Sequence, residues 1–124
     1  MKKNQIQSND DWFKDGDGQL ALDVHQTADA VILKAPVAGV KIEDLEISIA
    51  DDVINIKGER RHNEEIAQEN YFVQECYWGS FSRSFILPTG IETDKAEANL
   101  KNGILKITIP KRKTKNIEVK EETS

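Results

Sequence analysis

Three side chains in this 124-residue sequence have the chemistry of a soft metal ligand or a nucleophile: His25, His62 and Cys76. None lies at a ligand-like spacing to another, and zinc needs three or four such groups converging on one point, so no metal site is expected. "DGDG" at 15–18 resembles the start of a calcium loop. That loop requires a glycine at its sixth position and a bidentate glutamate at its twelfth, and here those places hold Leu20 and Gln26. The stretch therefore reads as a flexible turn. "WGSFS" at 78–82 places serines beside a glycine without the second flanking glycine of a nucleophile elbow, and no glycine-rich phosphate cradle occurs. No residues are arranged to carry out catalysis or to hold a cofactor, and neither is expected.

Composition narrows the partners. With 38% hydrophobic residues the chain has a modest core and room for one domain. A charged fraction of 31% with a net charge of -5 argues against nucleic acid, whose binders neutralise phosphates with a surplus of Lys and Arg. No run of 18 apolar residues is present, so no membrane partner is expected, and "MKKNQIQSNDDWF" lacks the apolar centre of a signal peptide. The expected location is the cytoplasm, where the single Cys76 stays reduced.

The elements that would position any site are strands. Period-two alternation dominates and long helical periodicity is missing, so the class is all-β. Leu20, Leu22 and Val24 alternate with Ala21 and Asp23, and "VILKAPVAGV" forms a second strand ended by Pro36 and Gly39. Leu45, Ile47 and Ile49 then run to a turn at Asp51 and Asp52, with Ile54 and Ile56 returning. "ERRHNEEIAQEN" (59–70) holds only Ile66 and Ala67 as apolar residues and reads as a long charged loop or projecting arm. "YFVQECYWGSFSRSFILP" suggests two strands broken at Gly79. The closing pair turns at "KNG", with Leu105, Ile107 and Ile109 on one face and Lys106 and Thr108 on the other, until Pro110 removes a ladder donor. Seven to eight short strands without a crossover helix predict an antiparallel, immunoglobulin-like β-sandwich with flexible ends.

Arg83 is the anomaly in this pattern, because it shares a strand face with Phe81, Phe85 and Leu87. Either it snorkels out from an edge strand, or it makes a charge-assisted bond across an interface. The sequence leaves both open.

"ECYWGSFSRSFILP" (75–88) followed by "ANLKNGILKITIPK" (98–111) resembles the α-crystallin domain of the small heat shock proteins, the Hsp20 family. Ala98, Leu100, Gly103 and Leu105 occupy the family's A-x-L-x-x-G-x-L signature. "VAGVKIEDLEISI" and "VINIKGER" are similar to its preceding strands, so the likeness covers about residues 20–111. The resemblance implies a domain over 20–111 with a dimerisation loop near 59–72, preceded by a short flexible arm (1–19) and followed by a flexible tail (112–124). It further implies that Ile66, Tyr71 and Phe72 belong to a loop strand exchanged into a partner, with Glu75 pairing with Arg83 near that dimer interface. Ile117 and Val119 of "IEV" match the family's tail anchor. Two apolar residues two apart in an extended segment present one face, which independently suits addition at a sheet edge.

The activity implied is that of an ATP-independent holdase: a homodimer-based oligomer that binds partly unfolded client proteins. Trp12 and Phe13, the bulky apolar pair of the arm, are the possible client contact. Two other classes share the sandwich. A CS or p23-like co-chaperone would dock on another chaperone and would be monomeric; a lectin-like domain would want exposed aromatics at one loop end, where only Tyr77 and Trp78 come near.

Overall fold

The computed structural model describes residues 18–123, so Trp12 and Phe13 lie outside the described residues. Eight strands occur among them: β1 (Gly18–Gln19), β2 (Asp23–Gln26), β3 (Ala30–Pro36), β4 (Leu45–Ala50), β5 (Val53–Arg60), β6 (Gly79–Ile86), β7 (Glu97–Lys101) and β8 (Ile104–Pro110). They form two four-stranded sheets, ordered β1-β6-β5-β4 and β2-β3-β8-β7. All pairings are antiparallel except the two-residue contact of β1 with β6. The result is the β-sandwich that alternation predicts.

Alternation sets the core. Leu105, Ile107 and Ile109 of β8 are 3%, 2% and 0% exposed, and face Ile54 and Ile56 of the other sheet, each 0% exposed. Lys106, between them in sequence, points to solvent. Leu33, Ala35, Val37, Phe81 and Leu87 are among the other members of the buried cluster, and Leu22, Val24, Leu45, Ile47, Ile49, Phe85 and Leu100 pack against its margin.

Gly58 shows how register decides a residue. It lies between Leu45 on β4 and Phe81 on β6. A Cβ there would stand 2.5 Å from Cζ of Phe81, so the missing side chain is what lets the aromatic ring enter the core.

Two segments differ from the sequence reading. The alternating Leu20–Val24 run is not one strand: β1 joins one sheet, buried Leu20 crosses the sandwich, and β2 joins the other sheet. Residues 71–78 form no strand within the chain, although they alternate like one. A strand needs a neighbour for its backbone groups, and β6 takes up pairing only at Gly79.

Candidate functional site

Most of the large apolar side chains open to solvent lie on the segments that leave the sandwich. Among the described residues, no group of His, Cys, Asp and Glu is arranged to hold a metal ion, and no helix is long and apolar enough to cross a membrane.

The first departing segment is the connection between β5 and β6. Phe72 is 102% exposed, and Val73 and Ile66 are also open, while Tyr71 is half-buried beside a short 3-10 turn at Gln68–Asn70. Its root is held more firmly than its tip. The imidazole of His62 stacks on the indole of Trp78 at 4.6 Å between ring centres, closing the two ends of the loop on each other. Arg61 donates from Nε to Asp44 at 3.1 Å, and this bond first, with the charges of Asp44 and Glu59 behind it, raises the guanidinium above its ordinary pKa. The Tyr77 hydroxyl accepts from the backbone N–H of Gly18 at 3.1 Å and donates to the carbonyl of Ser80. Tyr77 thus ties the loop root to β1.

Arg83 sits opposite Ile56 on the core-facing side of β6. β1 pairs only with Phe81 and Ser82, so no described strand lies beside Arg83 on that edge. Its Nη1 donates to the carbonyl of Leu20 at 2.8 Å, half-buried where the chain crosses between sheets. This partner went unforeseen because a backbone carbonyl 63 residues away leaves no mark in a local pattern. Glu75, on the loop, is exposed, and no ion pair joins it to Arg83 within the chain.

The second departing segment follows β8. Ile117 and Val119 are 81% and 91% exposed on an extended tail. The chain passes directly from β1 to β2, so these strands share one side of the sandwich; β4 and β7 are the edges of the other. Leu45, Ile47 and Ile49 of β4 and Leu100 of β7 are half-buried there, an apolar row between two unpaired strand edges. Of the signature residues, Leu105 is core, Leu100 is marginal, Ala98 is exposed, and Gly103 makes the turn.

A two-sheet sandwich with this strand order, a long β5–β6 loop and an extended tail bearing alternate apolar residues defines an α-crystallin-type domain. The sequence profile described as "Hsp20/alpha crystallin family" matches residues 23–123, and the chain belongs to that family. Spore protein SP21 of Stigmatella aurantiaca is 37% identical over 109 residues, covering 85% of this chain and 64% of the relative. Small heat shock protein C2 of Rickettsia felis is 40% identical, covering 79% and 66%. The chain thus spans just under two thirds of these relatives. Among solved structures, a small heat-shock protein from Xylella fastidiosa superposes with a TM-score of 0.75 at 28% identity, over 85% of this chain and 96% of that one. Heat shock protein 16.0 of Schizosaccharomyces pombe gives 0.69 at 33%, over 82% and 98%.

Proposed function

We propose that this chain is an ATP-independent molecular chaperone, a holdase that binds partly unfolded proteins and suppresses their aggregation as a dimer-based oligomer in the cytoplasm. One observation carries this reading. Four of the six most exposed large apolar side chains among the described residues, Phe72, Val73, Ile117 and Val119, lie on the two segments that leave the sandwich, while Ile42 and Ile86 lie on the sandwich itself. Extended segments with alternate apolar residues engage sheet edges of other molecules. Family membership supports the same reading, as does the crystal structure of the Xylella fastidiosa relative, which reveals a distinct high order structure for that protein.

In this reading residues 66–72 of one subunit form a strand against its partner, and Ile66, Tyr71 and Phe72 become interface residues. Glu75 comes to Arg83 across the dimer. The domain extends over 20–111, the tail over 112–124 anchors further subunits, and Trp12 and Phe13 contact clients. No nucleotide or other cofactor takes part. The net charge of -5 keeps loaded complexes in solution.

Arg83→Ala separates two roles of the guanidinium. Losing its charged bond to Leu20 removes about 2 kcal/mol and lowers the melting midpoint of each subunit. Losing a pair with Glu75 shifts mass toward smaller species, and a double-mutant cycle with Glu75→Gln gives the coupling between the two residues. Unchanged mass together with unchanged melting would remove both roles.

The function itself is tested by warming a heat-labile client protein with stoichiometric amounts of this chain and no nucleotide, following light scattering. Suppressed scattering, with client and chain eluting together in a soluble complex, is expected. Undiminished aggregation would overturn the holdase reading in favour of a partner-specific interaction module.

A further inference from the structure

The outer face of the β2-β3-β8-β7 sheet carries an open groove of about 680 Å³. Lys34, Lys101 and Lys106 line it around an apolar floor of Leu22, Pro36 and Ile104. Lys34 and Lys106 are direct cross-strand neighbours, an arrangement in which like charges repel. Asp23, the one acidic residue of the lining, stands opposite Lys34 on β2, yet none of the three lysines has an ion-pair partner among the described residues. In a chain of net charge -5, cationic charge is gathered here and left unneutralised, which favours an anionic occupant that also brings apolar surface.

The β5–β6 connection has the matching composition. "NEEIAQEN" (63–70) carries Glu64, Glu65 and Glu69 around Ile66 and contains no cation. All four side chains are exposed, Ile66 at 41%, and neither Glu65 nor Glu69 forms an ion pair among the described residues. The segment does not line the groove of its own chain. His62 stacked on Trp78 holds the two loop roots together, so residues 63–77 leave and return at one place, and an arm of seven extended residues spans about 23 Å, enough to cross onto a second subunit. The acidic segment with its aliphatic side chain and the basic groove with its apolar floor are each unsatisfied on the chain that bears them, and they complement each other between two copies.

We infer that residues 63–70 of one subunit dock in this groove of a second copy, Ile66 against Leu22, Pro36 and Ile104, with Glu65 and Glu69 facing Lys34, Lys101 and Lys106. A two-fold axis makes the contact twice, each subunit giving its loop and receiving its partner's. The inference rests on the proposed dimer and deepens it: an electrostatic clasp on the outer face of a sheet is assigned to the stretch of loop that precedes Tyr71 and Phe72. Its charge pairs are open to solvent, so they set the choice of partner and the rate of encounter more than they set affinity.

The test uses the full chain carrying Ile117→Ala and Val119→Ala, so that sedimentation reads dimerisation without the tail contacts. Lys34→Glu with Lys106→Glu turns the groove acidic, and Glu65→Lys with Glu69→Lys turns the loop basic. Each variant alone should dimerise roughly tenfold more weakly than the parent, because like charges meet at both contacts. An equimolar mixture of the two should recover the parent's dimerisation, since each loop then meets a groove of opposite charge; that recovery sets docking apart from damage to the fold, which far-UV circular dichroism also monitors. Dimerisation indifferent to both reversals, or a mixture no tighter than its components, would overturn the inference. Recovery only when all four substitutions share one chain would overturn it too, by placing the loop on its own groove. Phe72→Asp keeps the two failures apart: a parent dimer that Phe72→Asp dissociates and charge reversal does not touch removes the clasp alone, whereas a parent that is monomeric at every concentration removes the proposed dimer with it.

Discussion

Replacing Gly103 by valine is expected to lower the stability of the sandwich by about 3–4 kcal/mol, a large share of the roughly 5–15 kcal/mol that holds a domain folded. The β7–β8 hairpin turns through Asn102 and Gly103, whose φ angles are 54° and 77°. Both residues are in the left-handed region, the twist that two-residue hairpins require. An L side chain there costs about 1–2 kcal/mol, more when it is β-branched. Space is the second obstacle: a Cβ on Gly103 would lie 3.1 Å from Cβ of Ala38 and 3.2 Å from its Cα. That approach is held by the hydrogen bond from the Val37 N–H to the Gly103 carbonyl at 2.7 Å, so the neighbour cannot recede without losing it. Overpacking of this kind adds about 1–3 kcal/mol. Thermal unfolding followed by circular dichroism gives the measurement, with a midpoint lowered by about 15 °C. Gly103→Asn tolerates the dihedral but keeps the collision and should fall between parent and valine, while Asn102→Gly should be close to neutral. A valine variant that melts with the parent would mean that the turn does not approach Ala38.

That hairpin was fully legible in the sequence, because its information is local. A turn pair at Asn102-Gly103 and alternation from Leu105 to Ile109 fix the connection, the register and the buried face together. The same logic recovered the β4–β5 hairpin around Asp51 and Asp52. It failed where the deciding partner was remote. Leu20, Leu22 and Val24 alternate as a single strand would, yet nothing within them reveals that the chain crosses between sheets at Leu20. Gly58 looks like a weak point in a strand until the register sets it against the Phe81 ring. The acceptor of Arg83 and the attachment of Tyr77 to Gly18 are contacts to backbone, which carry no side-chain signature at the accepting or donating residue. Residues 71–78 fail for a different reason: alternation declares an ability to pair, and no strand among the described residues lies beside them.

The same distinction governs the tail, where Ile117→Ala combined with Val119→Ala is expected to break the assembly into small species while leaving each subunit's melting midpoint unchanged. Both side chains are almost fully exposed and neither belongs to the core, so the folded subunit gains nothing from them in isolation. In the proposed assembly their value lies in what they bury on a neighbouring subunit. Being two apart, they point to one side of an extended chain, and the half-buried row of Leu45, Ile47, Ile49 and Leu100 lies between two strand edges whose backbone groups are unpaired on the outer side. Each anchor gains at most about 1.5–3 kcal/mol on burial, so truncating both removes about 2–4 kcal/mol per contact, or a factor of roughly 30 to 1,000. An assembly that repeats this contact in every subunit multiplies the loss, since each tail is held near its groove by the others. Mass measured by light scattering across a dilution series should fall to the dimer for the double variant at concentrations where the parent stays large. Glu118→Gln, which alters the side chain between the anchors on the opposite face, should leave the mass unchanged. Equal masses for parent and double variant would mean that the tail anchors nothing, and the exposed Phe72 and Val73 of the β5–β6 loop would then have to hold the subunits together alone.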